Sequence, residues 1–237
     1  MRAFSSVDCL NLWESGVDLH PLDQALLALG AALPDTPQDT LADWPLGRRN
    51  MTLAEVRCAS FGPHLQGWTA CSRCGEKLEV EFDGRLLAAG NTDQGEAPEE
   101  PIVVNGQSFR LPTTRDLAKA AQEADASLAA LRLVESCRLE SEDSPAWTDE
   151  DLEQIGQELA AADPLAETRL ALRCPVCENE WEKNLDVVTF LWREIEARAR
   201  RLLLEIHILA SAYGWSEVDI LSLSERRRGI YLELAQS

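Results

Sequence analysis

Two Cys-x-x-Cys pairs, Cys71/Cys74 and Cys174/Cys177, constrain this chain more than any other feature of its sequence. A tight turn at that spacing directs both thiols of a pair to one side. Two such pairs supply the four donors of a closed tetrahedral zinc site. The first knuckle reads Cys71-Ser72-Arg73-Cys74-Gly75, with glycine at a position that often needs positive φ. The second reads Cys174-Pro175-Val176-Cys177. Each precedes a strand-like segment, Leu78–Phe82 after the first and Glu180–Lys183 after the second, in the manner of a zinc ribbon. The 99 residues from 75 to 173 separate the pairs, far more than a compact ribbon holds. A helical insertion must fill that gap, with the two knuckles meeting at its base. A degenerate ribbon without metal, a disulfide and a thioredoxin-like redox role are the other readings. The last wants a βαβ setting with a Cys pair at a helix start, which neither pair has.

The chain has seven cysteines, an odd number. Its start, Met1-Arg2-Ala3-Phe4, lacks the apolar stretch of an export signal. Both features argue against a disulfide framework, and Cys9, Cys58 and Cys137 read as small buried residues. The longest apolar candidate for a membrane span, Val187–Tyr213, is broken by Arg193, Glu194, Glu196, Arg198, Arg200, Arg201 and Glu205. The expectation is a soluble, cytoplasmic protein with no membrane partner.

The formal charge is −19, from 22 Lys and Arg against 41 Asp and Glu. Such a surface repels nucleic acid and anionic lipid. The excess is uneven: residues 185–237 carry 7 Arg and 8 acids, so the first 184 residues hold nearly all of it. The near-neutral C-terminal segment is the better candidate for a protein interface.

Periodicity and caps place the elements. Residues 1–20 show no clear period. A short helix follows from His20 to Leu29, ended by Gly30 or Pro34, and a second runs from Thr52 to about Ser60. Leu78–Phe82 alternates apolar and charged residues as a half-buried strand does. Residues 90–101 read as an acidic loop. Asn105-Gly106 between Ile102–Val104 and Gln107–Leu111 signals a hairpin, since both turn residues need positive φ. Helices are expected after Thr113, reaching Ala124, then over Leu128–Leu133, and after Thr148 as far as Ala162. Ser141–Pro145 reads as a loop. Val188, Trp192, Ile195, Ala199, Leu202, Ile206, Leu209 and Tyr213 recur at alternating spacings of four and three, a heptad-like seam along one long helix. Gly214 closes it, and short helices follow from Ser216 and Ser224. The fold class is mainly α with a small zinc-ribbon-like β portion (α+β), ending in a long C-terminal helix plus short helices. Three segments follow: an N-terminal helical segment (1–67), the knuckle-bearing β elements with their helical insertion (68–184), and a C-terminal helical interaction region (185–237).

Catalytic signatures are missing. No nucleophile elbow, phosphate loop or His-Glu-x-x-His is present. The three histidines are His20, His64 and His207. His64, seven residues before Cys71, is near enough in sequence to approach the site, although a surface or packing role is the simpler reading. His207 beside the apolar seam reads as a packing residue. The seven tryptophans read as core anchors.

The C-terminal string is distinctive. It contains Phe190-Leu191-Trp192-Arg193-Glu194-Ile195, Leu204–Ala210, Ala212-Tyr213-Gly214-Trp215-Ser216-Glu217, Ile220–Ser224, Arg226-Arg227-Arg228 and Tyr231-Leu232. A long helix, a Tyr-Gly-Trp-Ser-Glu turn and an Ile-Leu-x-Leu helix ending in arginines before Tyr-Leu resembles the baseplate hub assembly chaperones of contractile-tailed phages and related contractile injection systems. His20–Leu26, Pro45-Leu46-Gly47-Arg48-Arg49 and Leu111–Leu117 look like earlier segments of the zinc-pair members of that group. The resemblance implies a non-enzymatic assembly factor or minor baseplate component that binds baseplate or hub tail proteins in the bacterial cytoplasm. It makes Tyr213, Trp215, Arg226, Arg227 and Tyr231 candidate partner-binding residues. Tyr213 and Trp215 flank a helix-ending turn, where aromatics anchor interfaces or pack on the chain's own core. The arginines suit an acidic partner, or cap the preceding helix and offset the acidic half. A zinc-ribbon nucleic-acid-binding or transcription accessory protein is the alternative.

Overall fold

A computed structural model describes residues 1–89, 100–140 and 147–236. Residues 90–99 of the expected loop at 90–101, and the whole of the expected loop at 141–145, lie outside the described residues. The first part of the chain forms helices α1 (Ser6–Gly16), α2 (Pro21–Ala32), α3 (Gln38–Ala42) and α4 (Leu46–Phe61). Strands β1 (His64–Ala70) and β2 (Lys77–Asp83) follow, then the short helix α5 (Arg85–Ala89). The insertion holds β3 (Ile102–Val104), β4 (Gln107–Phe109), α6 (Thr114–Ala120), α7 (Ala126–Cys137) and α8 (Asp149–Ala162). The chain returns through β5 (Thr168–Arg173) and β6 (Glu180–Leu185) into α9 (Val187–Tyr213), α10 (Glu217–Ser222) and α11 (Glu225–Gln236). Among the described residues the fold is mainly α with three separate two-stranded antiparallel sheets, β1-β2, β3-β4 and β5-β6.

Side-chain caps start most helices where the sequence marks them. Thr148 caps α8 in a reciprocal box with Asp151, and Thr113 does the same for α6 with Asp116. Asn105 and Gly106 adopt φ of 51° and 78° in the expected hairpin turn. Gly214 ends α9 in the left-handed conformation. Helix α1 departs from expectation, since residues 1–20 show no period. Its signal is local: Ser5 accepts from the Asp8 N–H while the Asp8 carboxylate accepts from the Ser5 N–H. Helix α4 also begins six residues before the expected Thr52, directly after Pro45.

The main core lies between α1, α2, α4 and the first half of α9, around Leu12, Leu29, Leu53, Val56, Leu191 and Ile195. A second, smaller core fills the insertion, with Val104, Phe109, Val134, Cys137, Ile155 and Leu159. Along α9 the seam residues from Val188 to Leu202, and Leu209, are buried, whereas Ile206 is half-buried and Tyr213 is 38% exposed. The change follows the packing partner. The first half of α9 meets α1, α2 and α4, and its later turns meet α11 through polar side chains. Glu205 is buried there against Arg228. His207, expected to pack, is exposed.

Two buried arginines fasten the β elements to this core. Arg57 on α4 donates to both carboxylate oxygens of Glu194 on α9, at 2.7 and 2.5 Å. Its remaining N–H groups bond the carbonyls of Gly62 (2.6 Å) and His64 (2.8 Å), which fixes the start of β1. Arg49 holds the Asn50 amide oxygen, while the Asn50 amide nitrogen donates to the carbonyls of Leu165 and Ala166, just before β5. Both hairpins therefore spring from the same helical base.

Candidate metal centre

Each cysteine pair occupies the turn of a hairpin. Cys71 and Cys74 lie between β1 and β2, whose register pairs Ala70 with Lys77. Cys174 and Cys177 lie between β5 and β6, whose register pairs Arg173 with Glu180. The strand after the first pair was legible from alternation; β1 was not, because its inward positions carry Gly67 and Thr69 beside Leu65 while Trp68 faces outward.

The two turns share one backbone design. In the first, the Cys71 N–H donates to the Glu76 carbonyl (2.8 Å) and the Gly75 N–H to the Cys71 carbonyl (3.0 Å). In the second, the Cys174 N–H donates to Asn179 (2.9 Å) and the Glu178 N–H to Cys174 (2.9 Å). Gly75 has φ of 74°, and Glu178 holds the equivalent place at φ 57°. A non-glycine residue there carries a steric cost. The knuckles touch directly: Asn179 Nδ2 donates to Ser72 Oγ at 3.2 Å, and Lys183 Nζ to Thr69 Oγ1 at 2.9 Å.

The four sulfurs lie within 4.8 Å of one another. Across the knuckles, Cys71 Sγ is 3.6 Å from Cys177 Sγ, and Cys74 Sγ is 3.7 Å from Cys174 Sγ. An ion with metal–sulfur bonds of about 2.3 Å has tetrahedral sulfur–sulfur edges of about 3.8 Å. The separations are far too long for disulfides, and all four thiols are free. The donor set and its dimensions therefore fit a tetrahedral ion. Cys71 and Cys174 are buried, Cys177 is half-buried and Cys74 is exposed.

The thiols of the quartet do not titrate alike. Burial acts to raise the Cys71 thiol, but the N–H groups of Cys74 and Arg73 and the neighbouring thiols overcome it and hold Cys71 down at about 6. At Cys74 the Glu76 N–H pulls downward, yet the adjoining sulfurs of Cys177, Cys174 and Cys71 push the thiol up to about 12. Thiolates at this spacing repel one another, and only a bound cation lets all four be anionic together.

The other cysteines have no such setting. Burial pushes Cys9 up to about 11 and Cys137 up to about 12, and it raises Cys58 as well. Cys9 and Cys137 are buried as expected, whereas Cys58 is half-buried, because it lies beside the Arg57 guanidinium. His64 faces Asp83 at the end of the first hairpin away from Cys71, so it does not join the quartet. His20 caps α2 by accepting from the Leu22 N–H.

Tyr213, Trp215 and Tyr231 come together beyond the end of α9. Tyr213 and Trp215 stack at 4.7 Å, and Tyr231 stands edge-on to Trp215 at 4.9 Å. Arg226 and Arg227 are exposed. Arg228 separates from them: it is 2% exposed and bonded to Glu205, the Leu223 carbonyl and Ser6. Six of the seven tryptophans are buried or half-buried, whereas Trp68 on β1 is 69% exposed and is not a core anchor. No helix among the described residues is long and apolar enough to cross a membrane. In comparisons with known proteins, no protein-family model, no curated protein and no solved structure matches the chain.

Proposed function

We propose that this chain is a non-enzymatic assembly factor or minor structural component for the baseplate hub of a contractile tail or injection system, binding other tail proteins in the bacterial cytoplasm, and that its four cysteines hold one structural zinc ion. The zinc reading rests on the all-thiolate donor set and on cross-knuckle sulfur distances of 3.6 and 3.7 Å. Four protein sulfurs fill a tetrahedral shell and leave no position for substrate or activated water. When bound, the ion supplies a cross-link between hairpins that share no sheet.

The assembly reading is carried by the C-terminal string, whose Tyr213-Gly214-Trp215-Ser216-Glu217 turn and Arg226-Arg227-Arg228 run resemble the hub chaperones. Partly exposed aromatics beside exposed arginines suit a protein-binding surface. Tagged protein expressed with its neighbouring genes should co-purify with baseplate or hub subunits. Recovery of none, with normal tail assembly after deletion of the gene, rejects the reading.

One observation favours the zinc-ribbon nucleic-acid reading: Trp68 lies 69% exposed on β1, an aromatic face suited to stacking on a base. The charge of −19 opposes it. Absence of DNA and RNA binding in a low-salt titration removes this alternative.

A further inference from the structure

Helix α11 buries an arginine and exposes two large apolar residues. Its inward side carries Arg228, 2% exposed, with Tyr231, Leu232 and Ala235 half-buried, while its outward side carries Ile230, 50% exposed, and Leu234, 60% exposed. Positions 226, 230 and 234 succeed one another at i, i+4 and i+8, so Arg226, Ile230 and Leu234 form one stripe, bordered by Arg227. An ordinary surface helix keeps large apolar residues off its outward side.

The placement of charge is equally costly. Arg226 and Arg227 stand in the first turn of α11, where the helix dipole favours acids over cations, and the acid of that turn, Glu225, is paired with Arg198. Neither has a carboxylate within ion-pair distance among the described residues, although Arg198, Arg201 and Arg228 nearby are all paired. Two unpaired guanidiniums and the positive end of a helix dipole thus stand beside an exposed apolar stripe. The acids elsewhere on the chain do little to offset this at close range, because physiological salt screens charge beyond about 8 Å.

We propose that the outer face of α11, formed by Arg226, Arg227, Ile230 and Leu234, docks an acidic amphipathic helix of a different protein. The partner's acids lie over the first turn, where they neutralise both arginines and the dipole. Its apolar stripe covers Ile230 and Leu234. Glu233 borders the far end of the face, so the acids belong at the N-terminal end alone. A second copy of the chain is disfavoured, because its acidic helix α8 already buries its apolar side, Ile155 and Leu159, in the core of the insertion. The inference deepens the interaction-protein reading by naming the surface and the partner's chemistry. It does not require the partner to be a tail protein.

The test places the photo-crosslinking residue p-benzoylphenylalanine at Ile230 in the full chain, in its native host, with the exposed Glu14 position as control. Mass spectrometry then identifies the crosslinked peptide. The expected product, specific to position 230, is a segment of another protein with apolar residues at helical spacing and an excess of acids. A synthetic copy of that segment should bind purified protein and lose about tenfold in affinity when Arg226→Glu and Arg227→Glu are combined, while Arg226→Lys with Arg227→Lys retains binding. Crosslinks into the chain's own peptides, crosslinks into a segment without acid excess, no product above the control, or charge-independent binding overturns the proposal. An acidic-helix partner that is not a tail protein leaves this inference standing and removes the baseplate reading. Recovery of hub subunits without a crosslink at position 230 does the reverse.

Discussion

The Asp163 carboxylate accepts the Gly47 N–H at 2.8 Å, joining the returning end of the insertion to the first turn of α4 across 116 positions of chain. A Cβ on Gly47 would lie 1.8 Å from Asp163 Oδ1, so the contact exists only with glycine. Burial holds the Asp163 carboxyl above its ordinary value, against the pull of the Gly47 N–H and the Arg49 cation. Gly47→Ala should therefore displace a buried acid and destabilise the protein by about 2 kcal/mol. Gly30→Ala is the control: it also lies in a helix, has open space at the Cβ, and should stabilise by up to about 1 kcal/mol. Urea unfolding of both variants checks this, and a Gly47→Ala protein as stable as the parent would refute the steric account.

Metal removal should act on the hairpins first. Purified protein should contain one zinc ion per chain. Cys74→Ser and Cys177→Ser should each weaken its retention and lower the melting temperature, because binding free energy in such sites is folding free energy. The main core lies between helices that contain none of the four ligands. A strong chelator should therefore change the fluorescence of Trp68 and Trp181, which flank the knuckles, while leaving most of the helical circular dichroism. Full metal content and an unchanged melt in both variants would contradict the site.

The legible parts of this fold are those with local causes. The knuckle cysteines, the Asn105-Gly106 turn, the Thr113 and Thr148 caps and Gly214 each act through a few neighbouring residues. What escaped the sequence depends on distant partners. Strand β1 owes its placement to Arg57 gripping the His64 carbonyl from α4, and no alternation announces it. Arg228 sits within a run of three arginines, and only the position of Glu205, 23 residues earlier, separates it from its neighbours. The quartet itself was legible because chemistry fixes the spacing within each pair. That two pairs separated by 99 residues bring their turns into contact follows from Asn50 and Asp163 drawing the second hairpin to α4.

Acid should weaken the insertion through Asp116. Its side chain is buried, accepts from Arg110 at 2.6 and 2.9 Å, and accepts from the Thr113 hydroxyl and N–H. Burial acts to raise this carboxyl, but the Arg110 and Thr113 bonds prevail and hold it below the ordinary value. A depressed carboxyl contributes stability above its unfolded pKa of about 4 and loses it as pH falls through the folded value. The stability difference between the parent and Asp116→Asn should be largest near neutrality and narrow below about pH 4. Paired urea titrations at several pH values read that difference independently of any acid-driven metal loss common to both proteins. A difference that widens on acidification would reverse the assignment.

Arg228 is the last element of the buried core and sets the most demanding prediction. Its Nε donates to Glu205 Oε2 at 3.1 Å, and Arg201 bonds the other Glu205 oxygen at 2.9 Å. Further bonds to the Leu223 carbonyl and Ser6 tie α11 to α10 and α1. Arg228→Met removes one cation from a buried carboxylate and should cost about 3 kcal/mol or more. Arg226→Met and Arg227→Met, on the exposed side of the same turn, should change stability by less than about 0.5 kcal/mol. Combining Arg228→Met with Glu205→Leu replaces the pair by apolar volume and should recover part of the loss, because the unpaired buried charge is then gone. A double-mutant cycle by urea unfolding measures the coupling. Equal effects at positions 226, 227 and 228 would show that Arg228 is not an internal ion-pair partner.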